Sequence, residues 1–222
     1  MKKLLTIAIA LCTISAVRAQ TNTTPAAPIA IEIVYDGSGS MGDRVPGLNG
    51  VETPKFLIAS NAILNIASSI QEFVRSKHAN VQAGLVPFYG GEVRDGLPLR
   101  KFNSAYFQMW VQQIPQPDGG TPLGRAIKAA GEQLQKAPAA KKFILVVTDG
   151  ANNAGPDPSQ IIKQFNSENL AIKTFFVAFD VDSDVFNASK REGATIVSAA
   201  NAEQLVTQID TLLGQKILLE AE

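Results

Sequence analysis

IAIEIVYDGSGSMG, residues 29–42, holds the transition that decides the fold. Its first half is rich in β-branched residues and reads as a strand over 29–35. Its second half passes at once into a glycine-rich polar loop with the spacing Asp36-x-Ser38-x-Ser40. Alternate residues of an extended loop project to the same side, so one carboxylate and two hydroxyls share a face. Gly37 and Gly39 let the backbone turn tightly and come close to an ion.

Outward from this stretch, strand and helix signals alternate. Residues 55–76 have helical spacing, with Phe56, Ala59, Ile63, Ile66, Ile70 and Phe73 near one face. Thr53-Pro54 before them resembles an N-cap followed by proline at the first helical position. A second strand is expected over 81–88; Pro87 removes a ladder donor and puts that strand near a sheet edge. Residues 90–99 hold a turn and a weaker strand. Residues 104–114 read as a short helix with Tyr106, Phe107, Trp110 and Val111 on its core side. Another helix runs over 121–136, with Thr121 as N-cap and Pro122 at the first position. KFILVVT (142–148) and AIKTFFVAF (171–179) are continuous apolar strands, the pattern of strands covered on both faces. Helices over 159–169 and 184–192, a strand over 195–197 and an amphipathic helix from 202 to about 213 complete the chain.

Strands separated by helices imply βαβ units. The expected fold is α/β, a doubly wound, mainly parallel central sheet with helices on both faces. Ligands of such sheets bind at the carboxyl ends of the strands. Asp36 and Asp149 (in VVTDG) directly follow strands, and Thr121 (in DGGTPLG) begins a helix. Alternation thus places Asp36, Ser38, Ser40, Thr121 and Asp149 on one rim. Two carboxylates and three hydroxyls are hard oxygen donors and suit Mg²⁺, with Mn²⁺ or Ca²⁺ as alternatives. So few carboxylates would leave the ion electrophilic and receptive to an external anion.

Three motifs compete with this reading. Gly37 to Gly42 spells G-x-G-x-x-G after a strand, but Pro46, Gly47 and Gly50 block the helix a dinucleotide site needs. The only histidine, His78, is expected at the opposite end of the sheet from the serines, and no G-x-S-x-G is centred on them, so hydrolase chemistry is not expected. Asp180-x-Asp182-x-Asp184 hints at calcium, but Val185 stands where the loop glycine belongs and Arg191 where the bidentate ligand belongs; a solvated acidic loop is expected.

The termini and the charge set the context. Met1-Lys2-Lys3, an apolar run over 4–17 and Val17-Arg18-Ala19 read as a signal peptide cleaved after Ala19. Leu11 before Cys12 argues against lipid attachment. Cys12, the only cysteine, leaves with that segment, which excludes disulfides and thiolate chemistry from the mature chain. Residues 20–28 read as a flexible leader and 29–222 as one domain. The 20 basic and 20 acidic residues cancel, and no basic patch suggests nucleic acid. No second long apolar stretch is expected to span a membrane.

The ordered set DGSGS, GGTPLG and VVTDG resembles the von Willebrand factor A (vWA) domain family and its metal-ion-dependent adhesion site, D-x-S-x-S, then Thr, then Asp. The resemblance covers residues 29–213. It implies a Rossmann-like fold, direct ligation by Ser38, Ser40 and Thr121, and action of Asp36 and Asp149 largely through waters. It also implies a partner protein presenting an Asp or Glu carboxylate, and a last helix that shifts with metal coordination. The expected function is a secreted or periplasmic binding module for adhesion, not an enzyme. An assembly factor binding through another surface and a nucleotide-dependent enzyme are the alternatives. Asp43, Arg44, Asp118, Asn152 and Asn153 are rim residues that could set specificity.

Overall fold

In a computed structural model, residues 28–221 are described. The expected signal peptide and nearly all of the leader lie outside them. The chain runs β1 (Ile29–Asp36), a 3-10 turn (Gly39–Gly42), β2 (Arg44–Pro46), β3 (Glu52–Pro54), α1 (Lys55–Lys77), β4 (Val81–Tyr89), β5 (Glu92–Val93), β6 (Leu97–Lys101) and α2 (Ser104–Val111). It continues through α3 (Leu123–Lys136), β7 (Lys141–Thr148), α4 (Pro158–Ser167), β8 (Ile172–Phe179), α5 (Asn187–Arg191), β9 (Thr195–Ala199) and α6 (Ala202–Leu212). A π-type turn (Leu213–Leu218) prolongs α6, a continuation that the amphipathic pattern did not announce.

The main sheet has the order β5-β4-β1-β7-β8-β9, with β6 also on β4. β4, β1, β7, β8 and β9 are parallel; β5 and β6 are antiparallel to β4. Every residue of β1 is buried, as its central place requires. One face packs on α1, α2 and α6 through Ile31, Ile33, Ile63, Ile66, Leu205 and Ile209. The other packs on α3 and α4 through Val34, Ile127, Ile144, Val146, Ile162 and Phe176. This is the doubly wound α/β sheet expected from the alternation.

Several local expectations need correction. Thr53 and Pro54 do not open α1 as cap and first residue. They form β3, paired with Val45 and Arg44, and the Thr53 hydroxyl donates to Val51 O at 2.8 Å. Thr121 does not cap α3 either: the chain turns at Pro122, and the cap comes from another loop, with Gly124 N–H donating to Asn152 Oδ1 at 3.1 Å. β4, by contrast, lies beside the edge strands β5 and β6, near the sheet edge as expected. Pro87 falls in the gap of its outer ladder, between the Leu85–Leu97 and Phe88–Val93 pairs, where no N–H is needed. Tyr106 is exposed rather than core, and the Arg100 guanidinium stacks on its ring at 3.7 Å. By length and composition α1 is a second apolar stretch long enough to cross a membrane, but its apolar face lies in the core.

Glu32 is the anomaly of the core. It lies on β1 on the same face as Ala30 and Val34, fully buried, with neither carboxylate oxygen hydrogen-bonded. Its neighbour across the ladder is Gly84; a Cβ there would fall 2.6 Å from Glu32 Oε1, so the glycine makes the space. Burial pushes the Glu32 carboxyl up to about 9.

Candidate functional site

The strand order reverses direction at β1. The chain leaves β1 for β4 on one side and later returns to β7 on the other. The carboxyl ends of β1 and β7 therefore form a crevice, the usual binding place in such sheets. Asp36 ends β1, and Asp149 follows β7 directly.

All five rim residues face this crevice region. Asp36, Ser38, Thr121 and Asp149 are buried, while Ser40 is exposed. Asp36 Oδ1 accepts from Ser38 N–H at 2.8 Å, and Oδ2 accepts from the Thr148 hydroxyl at 2.5 Å. The Ser40 hydroxyl lies 3.2 Å from Ser38 Oγ and donates to Asp149 Oδ1 at 2.8 Å. A Cβ built on Gly150 would lie 3.5 Å from Thr121 Oγ1, so that hydroxyl stands against the chain just after Asp149.

Backbone bonds tie the loops together. Gly37 N–H donates to Phe88 O, Asp118 N–H to Gly37 O, Gly39 N–H to Gly119 O and Gly90 N–H to Asp118 O, at 2.7 to 3.0 Å. Gly119 has φ +75, and a Cβ on it would fall 2.2 Å from Gly91 N, so only glycine permits this approach. Thr121 N–H donates to Asn153 Oδ1 at 2.7 Å. Asn152 and Asn153, expected as specificity residues, thus hold the Thr121 loop in place.

Two contributors escaped the sequence reading. From sequence Thr148 is only the end of a strand; its hydroxyl donates to Asp36. Lys55, the first residue of α1, is 4% exposed, with Nζ 2.9 Å from Asp149 Oδ2 and 3.0 Å from Asp180 Oδ2. Its signal was its position: Lys55 shares a helix face with Ala59, Ala62 and Ile66, all buried. Asp180 is therefore an ion-pair partner rather than a merely solvated acid. Asp182 caps the next turn through Asp184 N–H, at 2.9 Å.

Burial pushes Asp36 up to about 6. Its bonds from Ser38 and Thr148 pull it down, and the nearby Asp149 charge pushes it up. Burial alone would lower Lys55, but Asp149 and Asp180 outweigh that and raise it, so the ammonium is fully charged.

Among the described residues no group of three or more His, Cys, Asp or Glu could hold a metal ion. A cation here would depend on hydroxyls and water. The donors present fit such an ion. The Ser38–Ser40 oxygen separation, 3.2 Å, is close to the ~3 Å edge of an oxygen octahedron with metal–oxygen bonds of about 2.1 Å, and Asp149 lies 2.8 Å behind Ser40 as its hydrogen-bond acceptor. His78 is exposed at the C-cap of α1, near the amino end of β4 and far along the sheet from the serines. The glycine-rich loop leads into a 3-10 turn and a β-hairpin rather than a helix.

The model of the von Willebrand factor type A domain matches residues 31–212. The uncharacterized protein YwmC of Bacillus subtilis (strain 168) is 27% identical over 169 residues, covering 72% of this chain and 70% of that protein. The uncharacterized protein YwmD of the same organism is 22% identical over 213 residues, 92% and 94% of the two chains. Among solved structures, the PilB minor pilin from Streptococcus sanguinis has a TM-score of 0.70 at 17% identity; the match covers 90% of this chain but only 63% of the pilin. The vWF domain of the type V pili tip protein Mfa5 from Porphyromonas gingivalis has a TM-score of 0.69 at 14% identity, covering 89% and 97%. At such identities the structural likeness is one of fold. The family match spans most of the chain and both cores: the protein belongs to the von Willebrand factor type A domain family.

Proposed function

We propose that this domain is a non-enzymatic protein-binding module that holds a carboxylate of a partner at a Mg²⁺ site on the rim. Ser38, Ser40 and Thr121 would hold the ion directly, and Asp36 and Asp149 largely through water, with Mn²⁺ or Ca²⁺ as alternative ions. The ion, when bound, would supply an electrophile for the side chain of a partner's Asp or Glu. The chain's own part is to fix the hydroxyls, through the backbone bonds of the Gly37, Gly39 and Gly119 loops, and to limit negative charge. The observation that carries the reading is the Ser38–Ser40 hydroxyl pair, 3.2 Å apart, with the Asp149 carboxylate behind it as the hydrogen-bond acceptor of Ser40. A secreted or surface location agrees with the signal-like first residues and with the pilin and pilus-tip proteins that share the fold.

Titration calorimetry with MgCl₂ and MnCl₂ tests the site. Wild type should bind and Asp36→Ala should not; equal behaviour of the two refutes it. A second reading, assembly through another surface, draws on the β2–β3 hairpin tip. There Leu48 and Val51 are 71% and 59% exposed, and Leu48 borders a hollow of about 300 Å³ against α1 and α6. Partner binding that survives EDTA and Asp36→Ala but is lost in Leu48→Asp would favour that reading.

A further inference from the structure

The two carboxylates of the rim are not equivalent. Asp36 is held by neutral donors, the Ser38 amide and the Thr148 hydroxyl. Asp149 is shared: Oδ1 faces Ser40, while Oδ2 faces the Lys55 ammonium at 2.9 Å. That ammonium is enclosed and paired on two sides. Its side chain is 5% exposed, its own backbone N–H donates to Asp43 O at 2.8 Å, and Asp180 holds it from the far side at 3.0 Å. Asp180 is itself fixed beyond β8, in the left-handed region at φ +54, with its N–H donating to Ala199 O at 2.7 Å. A positive charge is thus built permanently into the crevice.

Charge counting gives it a role. Asp36 and Asp149 alone would cancel a divalent cation. With Lys55 between Asp149 and Asp180, the four side chains sum to two negative charges; without the ammonium they would sum to three. A bound divalent ion then leaves the cluster neutral rather than negative, so Lys55 removes a charge that would repel an incoming carboxylate. A like charge a few ångströms away weakens cation binding and strengthens anion binding in a partly dry crevice.

We propose that Lys55 is the positioning and specificity-setting residue of this rim: a built-in cation that trades Mg²⁺ affinity for affinity toward the partner's carboxylate, and that Asp180 partly offsets. The inference rests on the metal-dependent reading above.

Calorimetry with MgCl₂ on wild type, Lys55→Met, Lys55→Arg and Asp180→Asn tests it. NMR titration of acetate at saturating MgCl₂ supplies a second readout, since acetate carries only the carboxylate. Lys55→Met should bind Mg²⁺ about tenfold more tightly and acetate several-fold more weakly. Lys55→Arg keeps the charge and should restore both affinities toward wild type. Asp180→Asn should bind Mg²⁺ several-fold more weakly, because Lys55 then acts on Asp149 alone; asparagine tolerates the left-handed backbone, so the fold is kept. Mg²⁺ affinity that is unchanged or weaker in a folded Lys55→Met would make Lys55 a structural strut and overturn the proposal. If Lys55→Met does not fold, Asp180→Asn decides: weaker Mg²⁺ binding supports the proposal, and unchanged or tighter binding overturns it. Absence of Mg²⁺ binding in wild type itself would overturn the underlying site and this inference together, an outcome distinct from all the others.

Discussion

Replacing Glu32 by glutamine removes a titration without changing shape. In the folded chain the carboxyl is pushed up to about 9 by burial, against an ordinary value of 4.5. The folded state therefore prefers the protonated acid. Between these two values the unfolded chain has released the proton and the native chain has kept it. Stability is then full below pH 4.5 and falls as pH rises toward 9, by about 1.4 kcal/mol per pH unit. From pH 5 to pH 8 the loss is about 4 kcal/mol, a large share of the 5–15 kcal/mol typical of a domain. Glu32→Gln lacks the titration but keeps the shape and the unmet polar atoms. Urea unfolding of both proteins at pH 5, 6.5 and 8 isolates the difference, since every other group contributes to both curves. The advantage of Glu32→Gln should grow by about 4 kcal/mol across that range. A difference constant to within about 1 kcal/mol would refute the claim that this carboxyl is held neutral by its surroundings.

Three further outcomes follow from the site and its supports. Thr121→Ala should lower Mg²⁺ affinity at least tenfold by calorimetry while costing less than about 1 kcal/mol of stability, because Thr121 does not cap α3. Asn152→Ala should cost about 1 kcal/mol in urea melts, since Asn152 accepts from the amide of Gly124 in the first turn of α3. Gly119→Ala combines a left-handed backbone with a Cβ 2.2 Å from Gly91 N; it should cost at least ~2 kcal/mol and abolish Mg²⁺ binding, checked by thermal melts and calorimetry.

The parts of the fold that were legible share one property: their signal is local. β1, β7 and β8 are apolar runs because both faces of a central parallel strand are covered. The five rim residues were legible because each adjoins such a strand or the helix between two of them. What escaped depends on distant chain. Lys55 reads as an ordinary helix-opening lysine until Asp149 and Asp180 arrive beside it. Glu32 reads as the polar member of a strand until Gly84 clears room over it. The local Thr121 reads as the cap of α3, whereas Asn152, in another loop, supplies it. The β2–β3 hairpin was hidden because Pro46, Gly47 and Gly50 read as helix breakers, which they are, without revealing what replaces the helix. A rim assembled from separate loops can thus be located from sequence, but its charge balance cannot.

The bond between Ser40 and Asp149 joins residues 109 positions apart, and the bond between Asp36 and Thr148 joins residues 112 apart. Closing such loops costs conformational entropy that local contacts do not repay. The row of oxygens therefore exists only once β7 has docked beside β1. In the unfolded chain these residues are scattered side chains far apart in sequence. The rim is thus a property of the finished sheet and of no single segment of the chain.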